Sequence, residues 1–310
     1  MEKKRPIGMR LHRYVRRICE SWQLFVLLLP GLAYLIIFHY LPMYGVQIAF
    51  KDYRANLGIW GSPWVGLKHF TRFLNYPEFW KILGNTFFLS VYSIATFPLA
   101  IVLALMLNEV KKPGIKKTVQ MVTYAPHFIS TVVVCSMLTL FLRKDSGLIN
   151  NVLNAFGAAR TDFLIRPQAF PHIYVWSGVW QEIGWDTIIY IAALAGTSQE
   201  LIEAARIDGA NRLDIILHVY IPAILPSVVI MMILRCGGLL SVGFEKAYLL
   251  QNSLNLERSE IISTYVYSIG LKGAQFSYSS AIGLFNTVVN VTFVMTVNAI
   301  AKKLTDIGLW

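Results

Sequence analysis

With 310 residues and only 15% of them charged, the chain falls short of the roughly one-quarter charged content of soluble domains. Its mean hydropathy of +0.53 also argues against an ordinary soluble enzyme. A net charge of +11 raises nucleic acid as a partner, but the basic residues are spread over short loops beside apolar runs, so no nucleic acid is expected.

The apolar residues fall into six runs of roughly 20, each enough to cross a hydrocarbon core of about 30 Å. This predicts an all-α polytopic membrane protein with six transmembrane helices in a lipid bilayer. Residues 1–21 are basic and precede the first run, Trp22 to Phe38. That run is too long for a signal sequence and lacks a small-residue cleavage site, so a retained first helix over 22–48 is expected. An aromatic- and glycine-rich loop over 49–83 follows, and its GSPWVGLKHF stretch (Gly61–Phe70) is expected to fold over the outer face. The second run, Gly84 to Leu107, carries Pro98, and the third, Val119 to Leu142, carries Pro126. Each proline is expected to kink its helix. His127, beside Pro126, reads as a contact between helices. The remaining runs are Ile173 to Ala195, Val219 to Leu240 and Ala281 to Ala301, so residues 84–301 make a core of five helices, followed by a tail over 302–310. A long loop, Gly243–Ser280, separates the last two. Cys19, Cys135 and Cys236 are scattered without a CxxC pair, which argues against a disulfide framework or a metal site.

Six spans put both ends on one side. The N-terminus, the loops Asn108–Thr118 and Thr197–His218 and the tail hold about 15 Lys/Arg in roughly 62 residues, against about 12 in roughly 100 for the other loops. The basic set is therefore expected in the cytoplasm, with Lys111-Lys112-Pro113-Gly114-Ile115-Lys116-Lys117 its clearest member.

Ionisable side chains inside spans are costly and mark functional sites by default. Glu182 and Asp186 are four apart and share a face of the fourth helix, near mid-membrane at about 1.5 Å per residue. Arg235 stands in the outer half of the fifth, and Trp180, Gln181, Trp185 and Tyr190 surround the acids. Rings stack on the C–H faces of sugars while carboxylates and amides replace water at hydroxyls, so this set fits a sugar-lined path. A structural ion pair of Arg235 with Glu182 or Asp186 fits the same residues, and both readings can hold if the pair opens with the path. Asn286 and Asn290, four apart on the sixth helix, either line the path or bond neighbouring helices. Gly243-Phe244-Glu245-Lys246 either caps the path, meets an outer protein or simply ends a helix.

The segment EAARIDGANRLDIILHVYIPAILP (Glu203–Pro226) is polar where the flanks are greasy. Thr197 with Glu200 has capping-box spacing, Gly209 offers a left-handed stop, and Asn211 with Asp214 can cap a second helix. Pro222 is expected to bend the chain as it enters the fifth span. The product is a helix–turn–helix at the cytoplasmic surface. Ala204 and Ala205 give it a narrow face, with Glu203, Arg206 and Asp208 around it, which suits docking to another protein; an ordinary re-entry loop fits as well.

Glu203-Ala204-Ala205, Asp208-Gly209-Ala210, Pro222 and Pro226 resemble the EAA loop of ABC importer permeases. The likeness extends to LPMYGVQIAFKDY (Leu41–Tyr53), WVGLKHF (Trp64–Phe70), NTFFLSVYS (Asn85–Ser93), YAPHFIS (Tyr124–Ser130), the run 190–208 and Gly308-Leu309-Trp310. The chain is most similar to the carbohydrate-uptake, maltose-type branch and its LplB-like polysaccharide permeases; Gln199-Glu200-Leu201-Ile202 departs from relatives that have a proline and a tyrosine. The resemblance implies a type I (MetI-like) importer fold in a bacterial plasma membrane. It also implies coupling to an ATPase through Glu203, Ala204, Ala205, Asp208, Gly209 and Ala210. Implied partners are a second permease, two ATP-binding subunits, an extracellular solute-binding lipoprotein and a carbohydrate. No GxxxxGK[ST] loop occurs in the chain, so ATP and Mg are assigned to the partner ATPase and no cofactor to this chain. The rivals are a secondary carrier using Glu182 and Asp186, which has no use for such a loop, and a membrane-embedded enzyme, for which no clustered motif is present.

Overall fold

The computed structural model describes residues 21–309; the basic segment before Ser21, with Cys19, and Trp310 lie outside the described residues. Two compact units divide them, 21–69 and 70–309. The first is built on α1 (Trp22–Phe50), with a wide turn at Ile36–Tyr40 and a tight one at Tyr44–Phe50. Residues 22–44 are exposed throughout, as expected of a helix apolar on all sides that meets lipid. Past it the chain closes on itself. Lys51 Nζ donates to the Ile59 carbonyl at 2.7 Å, and the Asp52 N–H to that of Pro63 at 2.8 Å.

The second unit contains α2 (Phe79–Glu109), α3 (Pro113–Phe128), α4 (Thr131–Phe141), α5 (Ala169–Ala195), α6 (Gln199–Ile207), α7 (Arg212–Cys236), α8 (Phe244–Leu250), α9 (Ile262–Tyr267) and α10 (Phe276–Thr305). Among the described residues the only β pairing is two isolated bridges. Helices α1, α2, α7 and α10 are long and apolar enough to cross a membrane, and α3 with α4 makes a fifth span if that bent pair is counted as one. Helix α5 has 27 residues, about 40 Å, but Gln181, Glu182 and Asp186 make it more polar than the others. The sixth expected span rests on it.

Prolines act differently at three places. The sequence reads 119–142 as one kinked helix, whereas the structure turns the chain by 101° between α3 and α4. Pro126 sits in a 3-10 turn, Ile129 and Ser130 are extended, and the Ser130 hydroxyl faces the Val133 N–H as the cap of α4. Pro98 falls in the first turn of the second half of α2, where its missing donor costs little, and α2 continues without a sharp bend. At Pro222 the helix is not interrupted. A π turn at Ile216–Tyr220, closed by the Ile221 N–H on the Ile216 carbonyl, shifts the hydrogen bonding ahead of the proline, and α7 runs unbroken from Arg212.

Helix α5 is the hub, packed on α2, α3, α7 and α8. One buried cluster joins Phe97 and Ala104 of α2, Tyr190 and Leu194 of α5, Ile202 of α6, and Ile215 and Ile224 of α7. The long segment between α7 and α10 forms α8 and α9, which pack against α2, α4 and α5. Buried polar groups of α2 satisfy its turns. Asn85 donates to the Glu257 and Glu260 carbonyls at 2.9 and 3.1 Å, and Thr86 Oγ1 accepts the Ile262 N–H at 3.0 Å.

Candidate functional site

The polar segment forms two helical arms. Its start differs from the expected Thr197–Glu200 box: α6 begins at Gln199, with Ser198 in the cap position and no side-chain cap. Thr197 is drawn into the turn that closes α5, its N–H on the Leu194 carbonyl. The stop is as read from sequence. Gly209 has φ +85°, the Ala210 N–H reaches the Ala205 carbonyl at 2.9 Å and the Gly209 N–H that of Arg206 at 3.1 Å, a Schellman closure. Asn211 caps the second arm reciprocally with Asp214.

Anchoring and exposure are divided along this segment. Ile202 and Ile215 are buried in the cluster shared by α2, α5 and α7, and Ala205 and Ala210 pack against it. Burial of such an isoleucine away from water contributes about 1.5–3 kcal/mol, so the turn is fixed to the helices behind it. Glu203, Ala204, Asp208 and Gly209 face outward. The sequence places Ala204 and Ala205 on one docking face; the structure exposes the first and turns the second inward. Ile207, 86% exposed, and Leu213, 67%, add an apolar tip that the sequence reading passed over.

Helices α2, α4, α5, α7 and α8 enclose a cavity of ≈ 430 Å³ whose lining includes Gln181, Glu182, Asp186, Arg235, Glu245 and Lys246. Arg235 Nη2 donates to Asp186 Oδ2 at 3.0 Å. Glu182 Oε2 lies 2.7 Å from His127 Nδ1, and the Trp185 ring stacks on His127 at 4.2 Å. The helix contact expected of His127 is therefore an acid–imidazole pair at the break between α3 and α4. Gln181 Nε2 donates to the Ile129 carbonyl at 2.9 Å, satisfying backbone that this break leaves open.

The other expected path residues scatter. Tyr190 is buried edge-on against Phe97 and lines a smaller cavity of ≈ 170 Å³ that shares Asp186 and Arg235. Trp180 and Trp185 are outside the lining of the large cavity. Asn290 accepts the Leu240 N–H at 2.8 Å and donates to Ser241 Oγ at 2.9 Å, so it ties off the end of α7. Asn286 Oδ1 is buried without a hydrogen-bond partner among the described residues. Lys246 was singled out only as part of a turn, yet it is 9% exposed, and burial pushes its ammonium down to about 8. Its signal in the sequence was a lysine opening the apolar stretch Ala247–Leu250.

Cys135 and Cys236 are free, and among the described residues no cluster of His, Cys, Asp or Glu is arranged to hold a metal.

Residues 96–305 match the family described as binding-protein-dependent transport system inner membrane component. The chain is 44% identical over 299 residues to the polygalacturonan/rhamnogalacturonan transport system permease protein YteP of Bacillus subtilis (strain 168), covering 96% of this chain and 93% of that one. It is 43% identical to Protein LplB of the same organism over 292 residues, 94% and 92% of the two chains. A solved structure of a bacterial alginate ABC transporter, in complex with an alginate pentasaccharide-bound periplasmic protein, superposes with a TM-score of 0.88 at 38% identity, covering 95% of this chain and 99% of that one. These matches give no support to the secondary-carrier reading. The chain belongs to the binding-protein-dependent transport system inner membrane components, the non-catalytic, multi-pass permease subunits of ABC importers.

Proposed function

We propose that this chain forms half of the translocation path of an ATP-driven importer of carbohydrates, specifically oligosaccharides or polysaccharide fragments. The substrates named for its relatives, polygalacturonan and rhamnogalacturonan for one and alginate for another, support the cargo class. The observation that carries the mechanical reading is the turn at Gly209, outward-facing at Glu203, Ala204 and Asp208 yet locked through Ile202 and Ile215 to α5 and α7. These exposed residues enter a cleft on a cytoplasmic ATPase, with Ala205 and Ala210 holding the turn behind them. Motion of the ATPase is thereby carried to the two helices that hold Glu182, Asp186 and Arg235. Gln181, Glu182, Asp186 and Arg235, with Tyr190 beside them, form this chain's share of the solute path.

The partners are a second permease, two ATP-binding subunits that take the ATP and Mg, and an extracellular solute-binding lipoprotein. The chain crosses a bacterial plasma membrane six times with both termini cytoplasmic, and divides as 1–21, 22–48, 49–83, 84–301 and 302–310.

The test is purification of the tagged chain from its native membranes in mild detergent, beside a Gly209→Asp variant. An ATPase and a second permease co-purifying with wild type, and loss of the ATPase or its activity in the variant, is the expected result. A well-folded wild type that brings down neither refutes the reading.

A further inference from the structure

We propose that Lys246 receives a carboxylate of the transported solute, which makes the cargo of this permease an anionic, uronate-bearing oligosaccharide. The inference rests on the importer reading and deepens it, naming the chemical class of the cargo and the residue that reads it.

Among the described charged side chains that line the large cavity, Lys246 is the one left without a hydrogen-bond partner in its interior. Asp186 takes Arg235 and Glu182 takes His127, while Glu245 is exposed to solvent. Lys246, 9% exposed, has no hydrogen-bond partner for Nζ among the described residues. An ammonium carries three donors and no acceptor, and a desolvated charge without a partner is costly unless something completes it. What surrounds it is the Tyr174 ring, 5.3 Å from Nζ, and the bare backbone of Gly178, where an added Cβ would stand 3.4 Å from Nζ; Glu182 and Cys135 act on it through space without a hydrogen bond. The site therefore offers one buried cation without a hydrogen-bond acceptor, in a cavity of ≈ 430 Å³, within the range that holds small organic ligands. A neutral sugar would leave the ammonium unpaired. A uronate supplies the missing acceptor. If Lys246 served packing alone, its aliphatic stem would suffice and methionine would replace it without consequence.

The test uses the assembled complex, purified with its partners and binding protein and reconstituted in proteoliposomes. The probes are tetragalacturonate and its fully methyl-esterified form, which have the same backbone with and without charge. Wild type is expected to take up the acid in preference to the ester. In Lys246→Met the acid-to-ester ratio falls at least ten-fold, and in Lys246→Arg most of the preference returns. If the Met variant fails to assemble with its partners, Lys246→Gln serves the same comparison. A neutral variant that keeps the wild-type ratio overturns the proposal, as does a wild type that shows no preference or takes neither probe. Co-purification of the ATPase separates the two failures: with it present, these outcomes remove only the assignment of Lys246, and the importer reading stands.

Discussion

Asp186 and Arg235 meet at 3.0 Å across α5 and α7, while Glu182, one turn away on α5, is held by His127 at 2.7 Å. Two acids on one helix face thus answer to different neighbours, one on α7 and one at the break after α3. Because the Asp186 and Arg235 side chains stay about one-third exposed, breaking the pair should cost less than a fully buried one, about 1–2 kcal/mol. Arg235→Met and Asp186→Asn should each lower the melting temperature of the purified complex. The double variant should recover part of the loss, because it leaves neither charge stranded. Strictly additive losses would mean that the pair contributes nothing.

The turn at Gly209 separates strain from clash. Its φ is +85°, and an added Cβ would meet nothing within 4 Å. Substitution there costs backbone strain alone, about 1 kcal/mol for an ordinary residue and more for a β-branched one. Gly209→Asn should be nearly silent, since asparagine visits this region most readily, whereas Gly209→Val should weaken ATP hydrolysis by the assembled complex several-fold. Full hydrolysis in the valine variant would show that the shape of the turn is immaterial to coupling.

What was legible in the sequence was whatever a local rule determines. Helix length and greasiness gave four of the six expected spans, or five with α3 and α4 taken as one, Gly209 and the Asn211–Asp214 spacing gave the turn, and the four-residue spacing of Glu182 and Asp186 gave their common face. What was not legible depends on where separate segments meet. The break at Ile129–Ser130 depends on α5, whose Gln181 amide satisfies the Ile129 carbonyl. Nothing near Pro222 announces the π turn that absorbs it. Lys246 reads as an interfacial lysine until α4 and α5 are seen packed over its helix. For Asn290 the sequence left open a path residue or a bond to a neighbouring helix, and the Leu240 N–H found on it decides for the bond.

Helix α3 crosses α5 at a glycine. A Cβ on Gly184 would lie 2.1 Å from the Thr123 carbonyl oxygen and 2.9 Å from Tyr124 Cδ1, and backbone cannot move aside as a flexible side chain can. Gly184→Ala must push the helices apart, taking the His127–Glu182 pair with them. It should cost more than about 2 kcal/mol, seen as a lower melting temperature and a poorer yield of assembled complex. An alanine variant as stable as wild type would mean that the two helices do not cross so closely.

The last expectation concerns pH. Lys246 lies on α8 in the segment between α7 and α10, and burial lowers its ammonium from 10.5 to about 8. The groups that face it or border it are Tyr174 and Glu182 from α5, Cys135 from α4 and Glu245 on its own helix; α9 presents Tyr267 to Phe244 and Tyr248 instead. The ammonium is charged below about pH 8 and neutral above, so its charged fraction falls about ten-fold between pH 7 and pH 9, while a uronate stays ionised throughout. Uptake of tetragalacturonate should fall by about that factor over the same interval, and Lys246→Arg should flatten the profile. Unfolding does not account for such a fall. A lysine lowered in the folded state binds fewer protons than the unfolded chain between about pH 8 and 10.5, so its contribution to stability rises with pH across that window. A wild-type profile level from pH 7 to 9 would therefore count against Lys246 as the carboxylate's partner, whatever the stability of the complex.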